Sequence, residues 1–88
     1  MEFSYHIEGG DFSKAGLASS EVKKILKQLN VSASVIKRVV VALYEAEVNV
    51  VAHAYEGDVR VDIAPERVVV VVEDRGPGIP PELLEKVF

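Results

Sequence analysis

The chain contains no cysteine, and its 10 Lys and Arg are outnumbered by 14 Asp and Glu, which gives a net charge of −4. The absence of cysteine excludes a disulfide framework, a thiolate metal site and a thiol nucleophile. The negative charge disfavours nucleic acid as a partner. The N-terminus has no signal-peptide pattern, and no apolar run approaches the length of about 18 residues that a membrane span needs. We therefore expect a cytoplasmic protein with no membrane partner.

The residues that are present predict one small domain spanning residues 1–88. Hydrophobic residues make up 49% of the 88 positions. A chain of this length buries roughly 60–65% of its unfolded surface on folding, so the composition supports a true core. The high apolar share also allows an exposed apolar face for a partner.

Periodicity predicts one strand and two helices in the first half of the chain. Residues 2–8 alternate between apolar and polar side chains, which is typical of a half-buried strand. Helical spacing then predicts helices over residues 11–30 and 32–55, each beginning at an aspartate or a serine that can cap it. The second helix is rich in β-branched residues, so tertiary packing must hold it.

The second half predicts two strands and a short helix. Residues 58–63 alternate, and residues 68–72 are a run of five valines that we expect to be covered on both faces. Pro80 and Pro81 are expected to begin a helix over residues 82–87. The order β-α-α-β-β-α predicts an α/β two-layer sandwich, with a mostly antiparallel sheet and the helices on one face.

Three polar residues of the second predicted helix share one face, because Glu45, Asn49 and His53 are spaced four residues apart. A carboxylate at Glu45 can polarise a water or a hydroxyl, and the amide oxygen of Asn49 suits one position of a Mg²⁺ ion. The alternative is an ordinary solvated helix face. Glu47 and Glu56 lie off the stripe and fit that alternative better.

A second candidate motif follows the valine run. Asp74 is expected to emerge at the strand end, where its carboxylate can accept a hydrogen bond from an exocyclic amine such as that of adenine. Gly76 and Gly78 allow the backbone to approach a flat ligand closely, and Ile79 can contact its ring. The alternative is an ordinary turn, since Asp and Gly-Pro-Gly are common turn residues.

Taken together, Glu45-x3-Asn49 on a helix and Asp74-x-Gly76-x-Gly78 after two strands resemble the GHKL ATPase superfamily. This superfamily includes gyrase, heat-shock chaperone, histidine kinase and mismatch-repair ATPases. Residues 44–55, with the helix that precedes them, are most similar to the anti-sigma-factor serine kinases. The resemblance covers about residues 2–79.

The resemblance implies a role for each matching residue. Glu45 corresponds to the general base, Asn49 to the Mg²⁺ ligand that bridges the phosphates, and Asp74 to the acid that reads adenine, with Gly76 and Gly78 forming the turn beneath the base. ATP or ADP and Mg²⁺ are the implied cofactors. A serine of an antagonist protein is the implied substrate, a sigma factor the implied partner, and a homodimer the implied assembly.

Two features depart from the serine kinases. Residues 80–88 are more similar to sensor histidine kinases, and the second glycine box and the lid of the family would lie beyond Phe88. We therefore expect a truncated or engineered partial domain that leaves one sheet edge unpaired and self-associates. It should bind adenine nucleotide with weak or absent catalysis, because the lid stabilises phosphoryl charge. The alternatives are an active ATPase or protein serine kinase completed by another chain, and a non-catalytic self-associating scaffold.

Overall fold

A computed structural model describes residues 1–76 and 82–88, and for residues 82–84 the backbone alone. Within these residues the fold has two helices and four strands, with a short 3₁₀ turn at Phe12–Lys14. In chain order they are β1 (Glu2–Glu8), α1 (Leu17–Gln28), α2 (Ala33–His53), β2 (Glu56–Ala64), β3 (Arg67–Arg75) and β4 (Glu82–Val87).

The four strands form one antiparallel sheet in the order β1-β2-β3-β4. Strand alternation sends one set of side chains towards the helices and the other set towards solvent. In β2, for example, Val59, Val61 and Ile63 are buried, while Asp58 and Arg60 are exposed. Both helices therefore lie on one face of the sheet, and the predicted two-layer sandwich is confirmed.

The core lies between this sheet face and α2. Leu43 and Val39 of α2 and Leu26 of α1 are fully buried against the inward-facing valines of the sheet. Packing thus holds α2 helical for 21 residues despite its many β-branched side chains. No helix within the described ranges is both long enough and apolar enough to cross a membrane.

The structure corrects the predicted bounds of both helices. Gly16 adopts a left-handed conformation with φ of +96°, so α1 begins only at Leu17 and the 3₁₀ turn precedes it. The second helix ends at His53 and not at residue 55, and β2 begins at Glu56.

The last element is a strand and not the predicted helix. β4 runs antiparallel to β3, from Asp74 opposite Glu82 to Val69 opposite Val87. A helix of six residues is too short to be stable alone, whereas a strand here pairs with the backbone of β3. The predicted unpaired edge beside the valine strand is therefore wrong.

The valine strand is also covered on one face alone. Val68, Val70 and Val72 are buried under the helices, but the side chains between them are half-buried on the outer face. The expectation of cover on both faces is wrong, because both helices lie on the same side of the sheet.

Candidate functional site

Glu45 and Asn49 lie on exposed positions of α2, one helical turn apart. They line a small cavity of about 90 Å³ together with Val70 and Val72 of β3. Lys86 of β4 completes the far wall. This flank of α2 therefore faces the inner side of β3, and the cavity combines an acid, an amide and an ammonium group above an apolar floor.

Asp74 lies on the same inner face of β3. The alternation that buries Val70 and Val72 sends Asp74 to the same side, and its side chain is half-buried. It stands inside the strand, opposite Gly57 of β2 and Glu82 of β4, and not after the strand as predicted. The inner face of β3 therefore runs without a break from Val70 and Val72, at the cavity floor, to Asp74.

The C-terminal half of α2 approaches the sheet closely beside Asp74. A Cβ atom on Gly57 would lie 2.8 Å from Cγ2 of Val50, so only glycine leaves room for the helix there. Because Asn49 immediately precedes Val50 and Asp74 pairs with Gly57, the two polar residues lie at the same end of the interface between α2 and the sheet.

Main-chain hydrogen bonds fix this end of the molecule. The Tyr55 N–H donates to the Arg75 carbonyl at 2.7 Å. The Gly9 N–H donates to the Tyr55 carbonyl at 2.7 Å, and the Gly10 N–H donates to the Val51 carbonyl at 2.7 Å. The ends of β1, α2 and β3 are thus tied to one another around the candidate site.

The remaining predicted residues fall at or beyond the end of β3. Gly76 is half-buried and follows the strand directly. Gly78 and Ile79 lie outside the described residues. His53, the last residue of α2, is exposed.

Glu47 of α2 lies in a different environment from the one predicted, because its carboxylate is 1% exposed and not solvated. Oε2 accepts hydrogen bonds from the N–H groups of Gly16 at 2.7 Å and Ala18 at 3.3 Å, and Oε1 accepts one from Ser19 at 2.8 Å. The carboxylate thereby binds the N-terminus of α1. Its spacing from the core residues Leu43 and Val50 follows the buried stripe of α2, and that spacing is the signal that sequence reasoning missed.

The outer face of the sheet carries a separate polar cluster around His6. His6 Nδ1 lies 2.8 Å from Oδ1 of Asp58, and Nε2 lies 2.9 Å from Oε1 of Glu8. The hydrogen bond with Asp58, and then the one with Glu8, raise the pKa of His6 above its usual value. The guanidinium of Arg75, followed by His6, lowers the pKa of Asp58.

This outer cluster is distinct from the candidate site, and its acidic side chains are paired with the side chains of His6 and Arg75. His6, Glu8 and Glu56 bring three potential metal-ligand atoms within 4.8 Å of one another. The Arg75 guanidinium, however, lies 2.7 Å from Glu56 and 2.8 Å from Asp58. These ion pairs lie on the face of the sheet opposite Asn49 and Asp74.

The donor chemistry of the inner cavity fits a Mg²⁺ ion that carries a phosphate ligand. Mg²⁺ prefers hard oxygen ligands and commonly takes one or two from the protein, the others coming from phosphate and water. Asn49 offers an exposed amide oxygen and Glu45 an exposed carboxylate one turn away. Lys86 adds a positive charge to the same cavity.

The sequence comparison agrees with this arrangement. Residues 11–86 match the family described as the histidine kinase-like ATPase domain, and the match includes Glu45, Asn49 and Asp74. No curated protein was found to match the chain. The family match indicates nucleotide binding and confirms the superfamily inferred from the two motifs. The chain belongs to the histidine kinase-like ATPase domain family.

Proposed function

We propose that this domain binds a Mg²⁺–adenine nucleotide, ATP or ADP, between α2 and the C-terminal end of β3. In this proposal the carboxylate of Asp74 accepts a hydrogen bond from the exocyclic amine of adenine. Gly76, Gly78 and Ile79 are proposed to lie against the base. The amide oxygen of Asn49 is a ligand of the Mg²⁺ ion, which neutralises phosphate charge when bound.

One observation carries the proposal: the polar flank of α2 and the inner face of β3 share a cavity. Glu45 and Asn49 line it together with Val70 and Val72, and Asp74 continues the same strand face. An apolar floor with a few convergent polar groups is the usual character of a small-molecule site. The Gly57–Val50 contact holds α2 close to β2, at the residue of β2 that pairs with Asp74 of β3.

Isothermal titration calorimetry with Mg-ADP tests the adenine contact. We expect saturable binding that Asp74→Asn weakens by at least about tenfold, because a charge-assisted hydrogen bond contributes about 1.5–3 kcal/mol. Asp62→Asn is the matched control, since Asp62 is exposed on the opposite face of the sheet. Equal affinities of the two variants, or no heat of binding to the wild-type chain, would contradict the proposal.

The metal contact has its own test. Asn49→Ala should weaken Mg-ADP binding and leave the weaker, metal-free binding of ADP in EDTA unchanged, since Asn49 acts through the ion. Gln28→Ala, another exposed helical amide, serves as the control. A loss that is the same with and without Mg²⁺ would argue against a metal ligand at this position.

A second candidate function is catalysis, as an ATPase or as a protein serine kinase of the anti-sigma-factor type. Glu45 supports it, because its exposed carboxylate lies in the same cavity as Asn49 and is free to take a proton from a water or a serine hydroxyl. Phosphate release that Glu45→Gln abolishes and Glu66→Gln preserves would support it. Release no faster than in buffer would leave nucleotide binding as the function of the domain.

Self-association as a homodimer, and binding of a sigma factor or an antagonist protein, belong to the same proposal. β4 is an outer strand of the sheet and is exposed at residues 85–87, so it offers a backbone edge for a second chain. Light scattering on a size-exclusion column tests the assembly, and a monomer of 9.6 kDa would contradict it. A scaffold that assembles without nucleotide would show the dimer but no heat with Mg-ADP.

A further inference from the structure

A second and larger groove lies on the outer side of the helix layer, away from the sheet. It has a volume of about 550 Å³ and is lined by α1, the α1–α2 connection and the first half of α2, with no strand residue. Val31, Ile36, Val40 and Val41 supply its apolar floor. None of the residues assigned to nucleotide binding lines it.

Lysines stand on both rims of this groove. Lys23 and Lys27 project from α1, one turn apart, and Lys37 projects from α2. No acidic residue is part of the lining. Within residues 1–76 and 82–88, none of these three lysines forms an ion pair. Like charges one turn apart repel each other on a helix, so this chain of net charge −4 holds a local positive surface at some cost.

The apolar floor extends beyond the groove along α2. Val41 is 49% exposed, and Tyr44, one turn further on, is 50% exposed. Contiguous apolar residues beside a polar rim mark interaction surfaces in soluble proteins. The exposed apolar surface therefore continues past the groove by about one turn of α2.

We propose that this groove docks an acidic amphipathic helix of a partner protein. Leucine-type side chains at helical spacing would enter the floor formed by Val40 and Val41. Carboxylates on the two flanks of the same helix would pair with Lys27 on one rim and Lys37 on the other. A groove between two helices, apolar along its base and charged along its edges, is a shape that recognises an amphipathic helix.

A second copy of this chain does not fit the groove. A symmetric contact between the grooves of two copies would bring the lysine-bearing rims of one copy against those of the other. The exposed acids of the described helices are Glu21 and Glu45 alone, because Glu47 is buried. The helices in the described part of the chain therefore offer no acidic face that could fill the groove of another copy.

The proposal is tested by NMR titration of the uniformly ¹⁵N-labelled chain. The probe is a helical peptide of about 18 residues with leucines along one face and glutamates on both flanks. We expect saturable shifts confined to residues of the groove, and binding that weakens as salt is raised from about 50 to 500 mM. A peptide with lysine at every glutamate position should not bind.

Two exposed lysines of α1 provide a matched pair of variants. Lys27 lines the groove and Lys24 does not, although both are exposed on the same helix. Lys27→Glu should weaken peptide binding at least about tenfold, whereas Lys24→Glu should change it less than about threefold. Asp74→Asn should leave peptide binding unchanged, which separates this proposal from the nucleotide site.

Four results would overturn the proposal: no shifts at about 1 mM peptide, shifts outside the groove, equal binding of the lysine peptide, or equal effects of the two lysine variants. Dodecanoate provides a further arm of the titration. If it shifts the groove residues and the acidic peptide does not, the groove takes a small anionic amphiphile and the proposal is wrong. A dimer that peptide cannot displace from the groove would identify a second copy as the occupant.

Discussion

At the scale of single residues, Glu47 is a charged side chain that the fold buries almost completely. Its carboxylate accepts hydrogen bonds from three backbone N–H groups at the start of α1. The first four N–H groups of a helix have no partner within it, and α1 has no side-chain cap at Gly16 and no acidic residue in its first turn. From the neighbouring helix, Glu47 supplies the missing hydrogen-bond acceptor. It also supplies the missing negative charge at the positive end of the helix dipole.

Replacing Glu47 should therefore destabilise the fold strongly. We expect Glu47→Ala to lower the free energy of unfolding by about 3 kcal/mol, because it leaves buried donors without an acceptor. Glu45→Ala makes the same chemical change on an exposed turn of α2 and should cost less than about 0.5 kcal/mol. Urea denaturation followed by circular dichroism measures both. Similar midpoints for the two variants would show that the carboxylate of Glu47 is not needed by α1.

His6 gives the stability of the fold a predictable dependence on pH. Because its pKa is raised in the folded state, protonated His6 stabilises the fold fully below the unfolded value of about 6.5. The contribution is lost as pH rises through the folded-state pKa. The lowered pKa of Asp58 acts in the opposite sense, since its contribution is present above the unfolded pKa and is lost as pH falls through the folded value.

Urea midpoints measured between pH 5 and 9 test this linkage. In the wild-type chain the midpoint should fall as pH rises through the folded-state pKa of His6. His6→Gln should flatten that fall, and Asp58→Asn should reduce it by removing the first partner of the imidazole. Ser4→Gln introduces the same side chain on the same outer face of β1 and should keep the wild-type fall. An unchanged profile in His6→Gln would contradict the linkage.

At the scale of elements, β4 can be distinguished from a helix by proline substitution. Val68 and Phe88 exchange both main-chain hydrogen bonds at 2.8 Å, and in an antiparallel ladder such pairs alternate. Val70 and Lys86, two residues further along, therefore form a hydrogen-bonded pair, whereas the N–H of Glu85 points away from β3.

We expect Lys86→Pro to destabilise the fold by about 2 kcal/mol, since it removes a ladder hydrogen bond. Glu85→Pro should cost less than about 1 kcal/mol, because an outward-facing N–H on an outer strand has no partner in β3 to lose. Thermal unfolding by circular dichroism measures the difference. Equal losses at the two positions would favour a helix over residues 82–87, in which both N–H groups are bonded.

The elements also show what the sequence could and could not reveal. Alternation gave β1 and β2 correctly, since each has one wet face. The predicted helix over residues 82–87 is wrong, because the segment forms a strand by pairing with the edge of β3. The local sequence pattern carries no information about that edge. Asp74 was placed after β3 for a related reason: the valine run ends at Val72, but pairing with β2 and β4 carries the strand to Arg75. Glu47 was missed because its partners are distant backbone groups, although its spacing was informative.

At the scale of the whole molecule, the helix layer and the sheet are fitted to each other at Gly57. The Cβ of an alanine there would lie 2.8 Å from Cγ2 and 3.0 Å from Cγ1 of Val50. Valine is stiff at χ1 and cannot move either methyl group cheaply. The close approach of α2 to β2 at this point therefore depends on the absence of a side chain at position 57.

Gly57→Ala should lower the free energy of unfolding by about 2 kcal/mol through overpacking. Val50→Ala alone should also be destabilising, because it opens a cavity in the core. The double variant should lose less than the sum of the two, since alanine at position 50 removes the methyl groups that clash. A double-mutant cycle from urea denaturation measures this coupling. Losses that add within about 0.5 kcal/mol would mean that the Val50 contact is not what excludes alanine.

Main-chain hydrogen bonds alone tie together the ends of β1, α2 and β3, and they involve no side-chain atom. They join Gly9, Gly10, Val51, Tyr55 and Arg75. Replacement of the exposed Tyr55 side chain therefore leaves its carbonyl and N–H bonds available. The side chain at position 55 can therefore change without displacing the rim of the pocket, whereas Gly9 cannot, because a Cβ atom there would collide with the carbonyl oxygen of Ala54. Tolerance to mutation at Tyr55 thus follows from hydrogen bonds that the main chain alone makes, and the local shape can persist after that side chain has changed.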